Sequence, residues 1–337
     1  MTDRQNRFAL RTLFDEKAVT KVQASSDEQQ QAALAFLTAS PGTVLHEVIS
    51  HQTDQDVTLP IVRPELTTIG QALVDATAYR FLADAKAGGR AVTTLQNGIG
   101  FAENDDLLAA IWEVVSISQV AEMVHDHPDF ATFQGEWLAA YRQKVTELLH
   151  TEPGHLIHIW QMALRIVAAV VLEDEALFNE GVAQFRQIID EEVHAEGYLK
   201  FIAKNKDGNS FMYQLLSVAA LTLAAEAATY AGEPLWQYEQ RGVSLTTAVA
   251  YIVYYYFFPE KWHWGEEGSQ PASQHVREAF TQYGAFVAIA EHRKQPRFAK
   301  ELLEEMAPLF SELGGLTSLT HFGHAEVEHK KKFLGLF

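Results

Sequence analysis

The residue types best suited to proton chemistry in this sequence lie at the entrance to one apolar helix. Residues 192–232 read EVHAEGYLKFIAKNKDGNSFMYQLLSVAALTLAAEAATYAG. A glycine-containing turn and extended piece leads into a polar connector, 203–209. A helix from 210 to 231 follows, apolar or small on nearly every side. Tyr213 sits in its first turn, preceded by Lys204, Lys206 and Asn209. Lysines in a loop are ordinarily solvated. At this entrance they can also hold a ligand carboxylate or lower the phenol pKa. Tyr213 is then either a proton-transfer group or a packed core tyrosine with a polar tip.

A second set of candidates opens the helix after Pro153 and Gly154. His155 and His158 fall in its first turn, with Trp160 close by. They are either helix-end histidines near a buried tryptophan or imidazoles facing a cleft, where one can neutralise a carboxylate or move a proton. The run FFPEKWHW (257–264) is the densest aromatic stretch. It is either a packed lid or a sugar-stacking wall, with Trp262 flanked by Lys261 and His263. Tyr254, Tyr255 and Tyr256 leave one helix in different directions, so at most part of that set shares a face. Glu192, Glu196 and Asp207 are the nearby carboxylates, and a glycoside hydrolase would need two such groups across a cleft.

Metal signatures are weak. His46 and His51 imitate a zinc-protease helix, but five residues apart they point in different directions and cannot share an ion. His321, His324, Glu326, Glu328 and His329 have ligand chemistry but read as a solvated tail. There is no P-loop, no dinucleotide fingerprint and no nucleophile elbow.

These groups need a helical scaffold. Apolar periodicity predicts helices over 67–87, 106–124, 131–150, 155–172, 175–191, 210–231, 244–256, 273–292 and 297–309. Gly88 and Gly89 are read as ending the first, with a polar loop over 91–103 behind them, and Asn104 as an N-cap for the second. Shorter helical pieces over 4–16, 27–37 and 43–52 form a peripheral region, 1–65, closed by a proline-bounded connector over 54–64. Residues 66–337 form the main domain. All-round apolar helices alternate with amphipathic ones, so the expected architecture is all-α: two helical layers arranged as an α/α toroid.

Composition narrows the partners. The chain has 337 residues, a formal net charge of −18 and no cysteine. Nucleic-acid binding is not expected at this charge, and disulfides and thiolate metal sites are excluded. No membrane partner is expected, and the charged N-terminus and lack of cysteine suit a cytoplasmic location. The oligomeric state is not legible.

Over about 97–296 the sequence resembles the alginate lyase domain family, α/α-toroid polysaccharide lyases. NGIGFAENDDLLAAIWEVV (97–115) is similar to the family's Asn-Gly loop leading into a helix. SFMYQLLSVAALTLAAEAA (210–228) is similar to its Ser-Leu-x-Tyr helix. GEPLWQYEQRGVSLTTAVAYIVYYYFFPEKWHW (232–264) is similar to its Asp-Leu-Trp, Gly-x-Ser-Leu and Lys-Trp-Pro sequence. The resemblance implies β-elimination on a uronate-containing oligosaccharide without a cofactor. Tyr213 is then the acid/base, assisted by His155 or His158. Lys204 or Lys206 replaces the arginine that the family places before its tyrosine. Asn209, Asn97, Trp160, Trp262 and His263 are then substrate-binding. The family's Asn-Asn-His is absent: aligned on Trp160, Ile157 takes the histidine position. Two alternatives remain at this level: a hydrolase of unsaturated uronyl sugars, and a noncatalytic carbohydrate-binding or scaffold relative.

Overall fold

The computed structural model describes residues 12–13, 16–38, 66–98, 106–151, 154–264, 270–306 and 310–321. Its helices are α1 (Glu16–Gln23), α2 (Glu28–Thr38), α3 (Thr68–Leu82), α4 (Ala85–Gln96), α5 (Leu107–Met123), α6 (Pro128–Leu149) and α7 (His155–Leu172). They continue with α8 (Glu175–Gln187), α9 (Ser210–Tyr230), α10 (Leu245–Phe257), α11 (Ser273–Tyr283), α12 (Ala285–Lys294), α13 (Ala299–Met306) and α14 (Thr317–Thr320). Two short antiparallel hairpins complete the fold. In one, β1 (Glu239–Gln240) pairs with β2 (Val243–Ser244), Glu239 opposite Ser244. In the other, β3 (Phe310–Ser311) pairs with β4 (Gly315–Leu316), Phe310 opposite Leu316.

The helices pack in two layers. In the inner layer α3 packs on α5, α5 on α7 and α7 on α9, and α9 in turn meets α10 and α12. In the outer layer α4 lies against α3 and α6, α6 against α7, and α8 against α7. Composition explains the division. Helix α9 carries Leu, Ala, Val and Thr on every side and is buried from Phe211 to Ala228 apart from Tyr213. Helices α6 and α8 bury one stripe, such as Phe178, Val182 and Phe185, and leave the opposite face wet. By length and composition α7 and α9 are apolar enough to cross a membrane, yet 72% and 94% of those stretches are buried inside the fold. Helices α1 and α2 pack on α3 and α14.

Several predicted boundaries need correction. The helix expected over 67–87 ends at Leu82, because Ala83 adopts a left-handed conformation with φ 56° and its N–H bonds back to Ala78. Asp84 then caps a new helix by accepting from the backbone N–H groups of Lys86 and Ala87. That helix runs straight through Gly88 and Gly89, so most of the loop expected over 91–103 is helical as far as Gln96. Gly88 serves close packing rather than termination. A Cβ there would lie 2.5 Å from the Tyr79 ring, whereas one on Gly89 would meet nothing within 4 Å. These two neighbours therefore respond oppositely to alanine. Gly89→Ala gains about 0.5–1 kcal/mol of helix stability, and Gly88→Ala loses about 1–3 kcal/mol through overpacking. Urea unfolding of the two variants reads the difference.

Helix α6 begins at Pro128 rather than 131, with His127 as its N-cap. The helix over 273–292 is interrupted at Gly284, between α11 and α12. Asp106, not Asn104, caps α5, accepting from Leu108 and Ala109. Asn104, the 46–51 histidine pair and the 54–64 connector lie outside the described residues.

The far end of α9 holds a buried charge cluster. Glu226 is fully buried and accepts from Arg293 Nε at 2.9 and 3.1 Å, Arg293 Nη2 at 2.6 Å and Trp236 Nε1 at 3.1 Å. His321 Nε2 lies 3.3 Å from the same carboxylate. His321 was expected in a solvated tail; it is buried instead, edge-on to His292. The remaining members of that histidine cluster lie outside the described residues.

Candidate functional site

Tyr213 is held at the N-terminal mouth of α9 by its first turn. It is the half-exposed exception between Ser210 and Ala228 of that helix. The connector before it folds as nested turns. Asp207 N–H donates to Asn205 Oδ1 at 2.9 Å, and Asn209 N–H donates to Asp207 Oδ1 at 2.9 Å. These bonds point the other carboxylate oxygen at the tyrosine: Tyr213 Oη donates to Asp207 Oδ2 at 2.7 Å. Burial, followed by the Asp207 hydrogen bond and charge, holds the phenol well above its ordinary pKa, while the Asn209 side chain pulls the other way. The expected lowering by lysines is therefore reversed. Lys204 and Lys206 are exposed on the same connector, and the nearest charge to the phenol is negative.

His155 joins this group through a ring. It is exposed and stacks on Phe201 at 5.2 Å between centroids, and Phe201 tilts against Tyr213 at 6.1 Å. His158, one turn further along α7, is engaged elsewhere. Arg165 Nη1 donates to Gln184 Oε1 at 2.8 Å, Gln184 Nε2 lies 3.1 Å from His158 Nδ1, and His158 Nε2 lies 3.3 Å from Glu192 Oε1. Arginine has donors only, so it fixes the Gln184 amide. The amide N–H₂ then requires a lone pair on Nδ1, which leaves the imidazole proton on Nε2, facing Glu192. That imidazole is oriented but occupied.

Two substrate-binding assignments are corrected by burial. Trp160 is fully buried and packs edge-on to Trp112 at 5.6 Å, so it presents no face to a ligand. Trp262 is also buried. Its Nε1 donates to Ser210 Oγ at 3.0 Å, and its ring packs against Phe211 and Tyr255. It is an internal anchor that fixes the 257–264 run to the start of α9. Trp264, like Phe257 and Phe258, is a half-exposed ring of that run. His263 is exposed, with Nδ1 3.4 Å from the Tyr255 hydroxyl. Asn97 is exposed at the C-cap of α4, a helix that packs on α3, α5 and α6.

Sequence reading missed the groups that position this site. Gln214, fully buried beside Tyr213, accepts from Leu199 N–H at 2.9 Å and donates to Gly197 C=O at 3.0 Å, clamping the 193–199 turn to α9. The signal available was a glutamine inside an all-apolar helix, since a buried amide must find partners. Asp207 was named only as a hydrolase carboxylate. Its signal was the Asp-Gly-Asn turn just ahead of the helix.

Comparisons with known proteins bear on the fold and the family. The alginate lyase family profile matches residues 82–262. No curated protein matches. Among solved structures, a histidine-to-alanine variant of alginate lyase A1-III complexed with tetrasaccharide aligns with TM-score 0.71 at 16% identity, covering 93% of this chain and 95% of that one. Alginate lyase A1-III from Sphingomonas species A1 aligns with TM-score 0.67 at 15% identity, covering 92% and 95%. An alginate lyase from Bacteroides ovatus aligns with TM-score 0.60 at 10% identity, covering 92% and 98%. At these identities the structures carry the fold, an α/α toroid. The profile match spans more than half of the chain, runs from the end of α3 through the Tyr213 turn to Trp262, and makes this protein a member of the alginate lyase family.

Proposed function

We propose that this polysaccharide lyase-like protein cleaves uronate-containing oligosaccharides by β-elimination, with Tyr213 as proton donor and Asp207 as its partner base. The observation that carries the reading is the 2.7 Å bond from the Tyr213 hydroxyl to Asp207 at the open mouth of α9. Family membership supports the reaction class. The tetrasaccharide complexes of related folds support an oligosaccharide ligand.

The groups present give a balanced cycle. Lys204 or Lys206 neutralises the substrate carboxylate, which acidifies C5–H. Asp207 takes the C5 proton, the C4–O bond breaks as the C4–C5 double bond forms, and Tyr213 protonates the departing oxygen. The proton on Asp207 then returns along the same hydrogen bond to the phenolate. A phenol that stays protonated in the resting site suits the donor role. His155 stands across Phe201 from Tyr213, and His158, paired with Glu192, takes no step in the cycle.

The hydrolase alternative requires two carboxylates facing each other across the scissile bond. Asp207 pairs with Tyr213 and Glu192 with His158, so the two carboxylates face different side chains, which weighs against it. Mass spectrometry in ¹⁸O-labelled water separates the two reactions. Elimination gives products whose masses sum to that of the substrate, with no water added and no label on the unsaturated ring. Products heavier by one labelled water overturn the proposal.

A further inference from the structure

An aromatic shelf, outside the groups used in the proposed cycle, is tied to α9 at Ser210, one turn before Tyr213. Tyr198 packs against Trp264 at 4.5 Å between centroids, and His194 stacks on Tyr198 at 4.4 Å. Tyr251 tilts against Tyr198 at 5.9 Å and accepts from Trp264 Nε1 at 2.6 Å. All of these rings are half-exposed.

The shelf is built rigidly and is tied to the catalytic helix at adjacent points. Ser210 Oγ donates to the Trp264 carbonyl at 3.1 Å, and Ser210 precedes Tyr213 by one turn, about 5 Å along the axis. Gln214, next to Tyr213, clamps the backbone on both sides of Tyr198. The turn that carries Tyr198 needs glycine at 197. Its φ is +108°, and a Cβ would lie 2.5 Å from the Thr247 carbonyl oxygen and 2.6 Å from Tyr251 Cβ. Each of these half-exposed rings leaves apolar surface with a polar edge open to solvent, the kind of surface that packs against the C–H face of a pyranose.

The charge on the shelf selects which pyranose. Exposed Glu196 sits in the same turn, next to Gly197 and Tyr198, and its charge acts on Tyr198, Tyr251 and Tyr255. Of the nearby cations, Lys200 donates to the Glu191 carbonyl at 2.6 Å, and Lys261 donates to Tyr254 Oη at 2.9 Å and lies 4.4 Å over the Phe258 ring. A second uronate on the shelf would bring its carboxylate toward Glu196, a like-charge contact that works as discrimination.

We infer that the shelf of Tyr198, Tyr251 and Trp264 is a subsite for an uncharged hexose joined to the uronate at Tyr213, so that the substrate is a mixed glycan rather than a homopolymer of uronates. The uronate half of this statement rests on the proposed lyase reading; the hexose half rests on the shelf alone.

Calorimetric binding to the Tyr213→Phe protein, which by that reading turns over more slowly by about a hundredfold or more, tests the hexose half. The probes are glucosyl-glucuronate and glucuronosyl-glucuronate, each joined through O4 of the reducing ring and differing only at C6 of the other. The glucosyl compound should bind tighter by about tenfold or more. Adding Trp264→Ala should erase that preference, and Tyr198→Ser, at a half-exposed position, should do the same without the loss of an internal hydrogen bond. Equal or tighter binding of the diuronate, or a preference unchanged in both added variants, overturns the subsite. If the hexose preference appears but wild-type protein forms no unsaturated product from either compound, the lyase reading fails and the subsite stands.

Discussion

Replacing Glu226 by alanine should destabilise the protein by about 3–5 kcal/mol, the cost of removing the carboxylate from a buried charge cluster. The carboxylate is fully buried, receives a bidentate Arg293 and lies within reach of His321 and Trp236. Burial alone would raise its pKa. The His321 hydrogen bond and the Arg293 charge overcome that and bring it down to about 2 from 4.5. The sign of the pH dependence follows. A depressed carboxylate contributes stability that is complete above its unfolded value of 4.5 and is lost as pH falls through about 2. Wild type should therefore lose stability through this acid window, and Glu226→Gln should lose much of that dependence while starting less stable at neutral pH. Denaturant unfolding between neutral and acid pH checks both. A Glu226→Leu/Arg293→Met double variant should recover much of the stability, since an apolar replacement of a buried pair removes the desolvation cost together with the attraction. If Glu226→Ala unfolds at the wild-type denaturant midpoint, the cluster is not holding the far end of α9.

The second large effect falls on turnover. Tyr213→Phe should lower kcat by about 10²–10⁴, the range for removing a positioned general acid, with a smaller change in KM. Asp207→Asn should cause a comparable loss by a different route. The phenol keeps its proton, but no base takes the C5 proton and nothing returns a proton to Tyr213. The two variants are separable by titration. With Asp207 neutralised, the phenol pKa should fall back toward its ordinary value, although burial still raises it. Difference spectroscopy between Asp207→Asn and the Asp207→Asn/Tyr213→Phe double variant reads that shift. An Asp207→Asn protein with wild-type kcat would remove Asp207 from the cycle.

Much of the scaffold was legible because period and length agree: α7 begins and ends where its apolar pattern does, and α9 begins at Ser210 as read. The misplaced boundaries share one cause. A glycine pair reads as a stop, but Gly88 answers to a Tyr79 ring on the preceding helix, while the real break at Ala83 has no glycine to announce it. The site divides in the same way. Tyr213, Asn209 and the connector lysines are local in sequence, and all lie at the mouth of α9. Trp160 and Trp262 were assigned to the ligand because tryptophan serves both cores and sugar faces, and only burial separates the two. The Asp207 bond and the Gln214 clamp depend on turn geometry that residue types alone do not fix.

The central claim is elimination driven by Tyr213, and one measurement bears on it most directly. Wild-type protein and Tyr213→Phe are incubated with a uronate-containing oligosaccharide, and the ultraviolet absorbance of the conjugated double bond is followed. Absorbance that rises with wild type and is lower in rate by about a hundredfold or more in Tyr213→Phe is the expected result. Absorbance that rises equally in both, or reducing ends released by wild type with no rise at all, contradicts it.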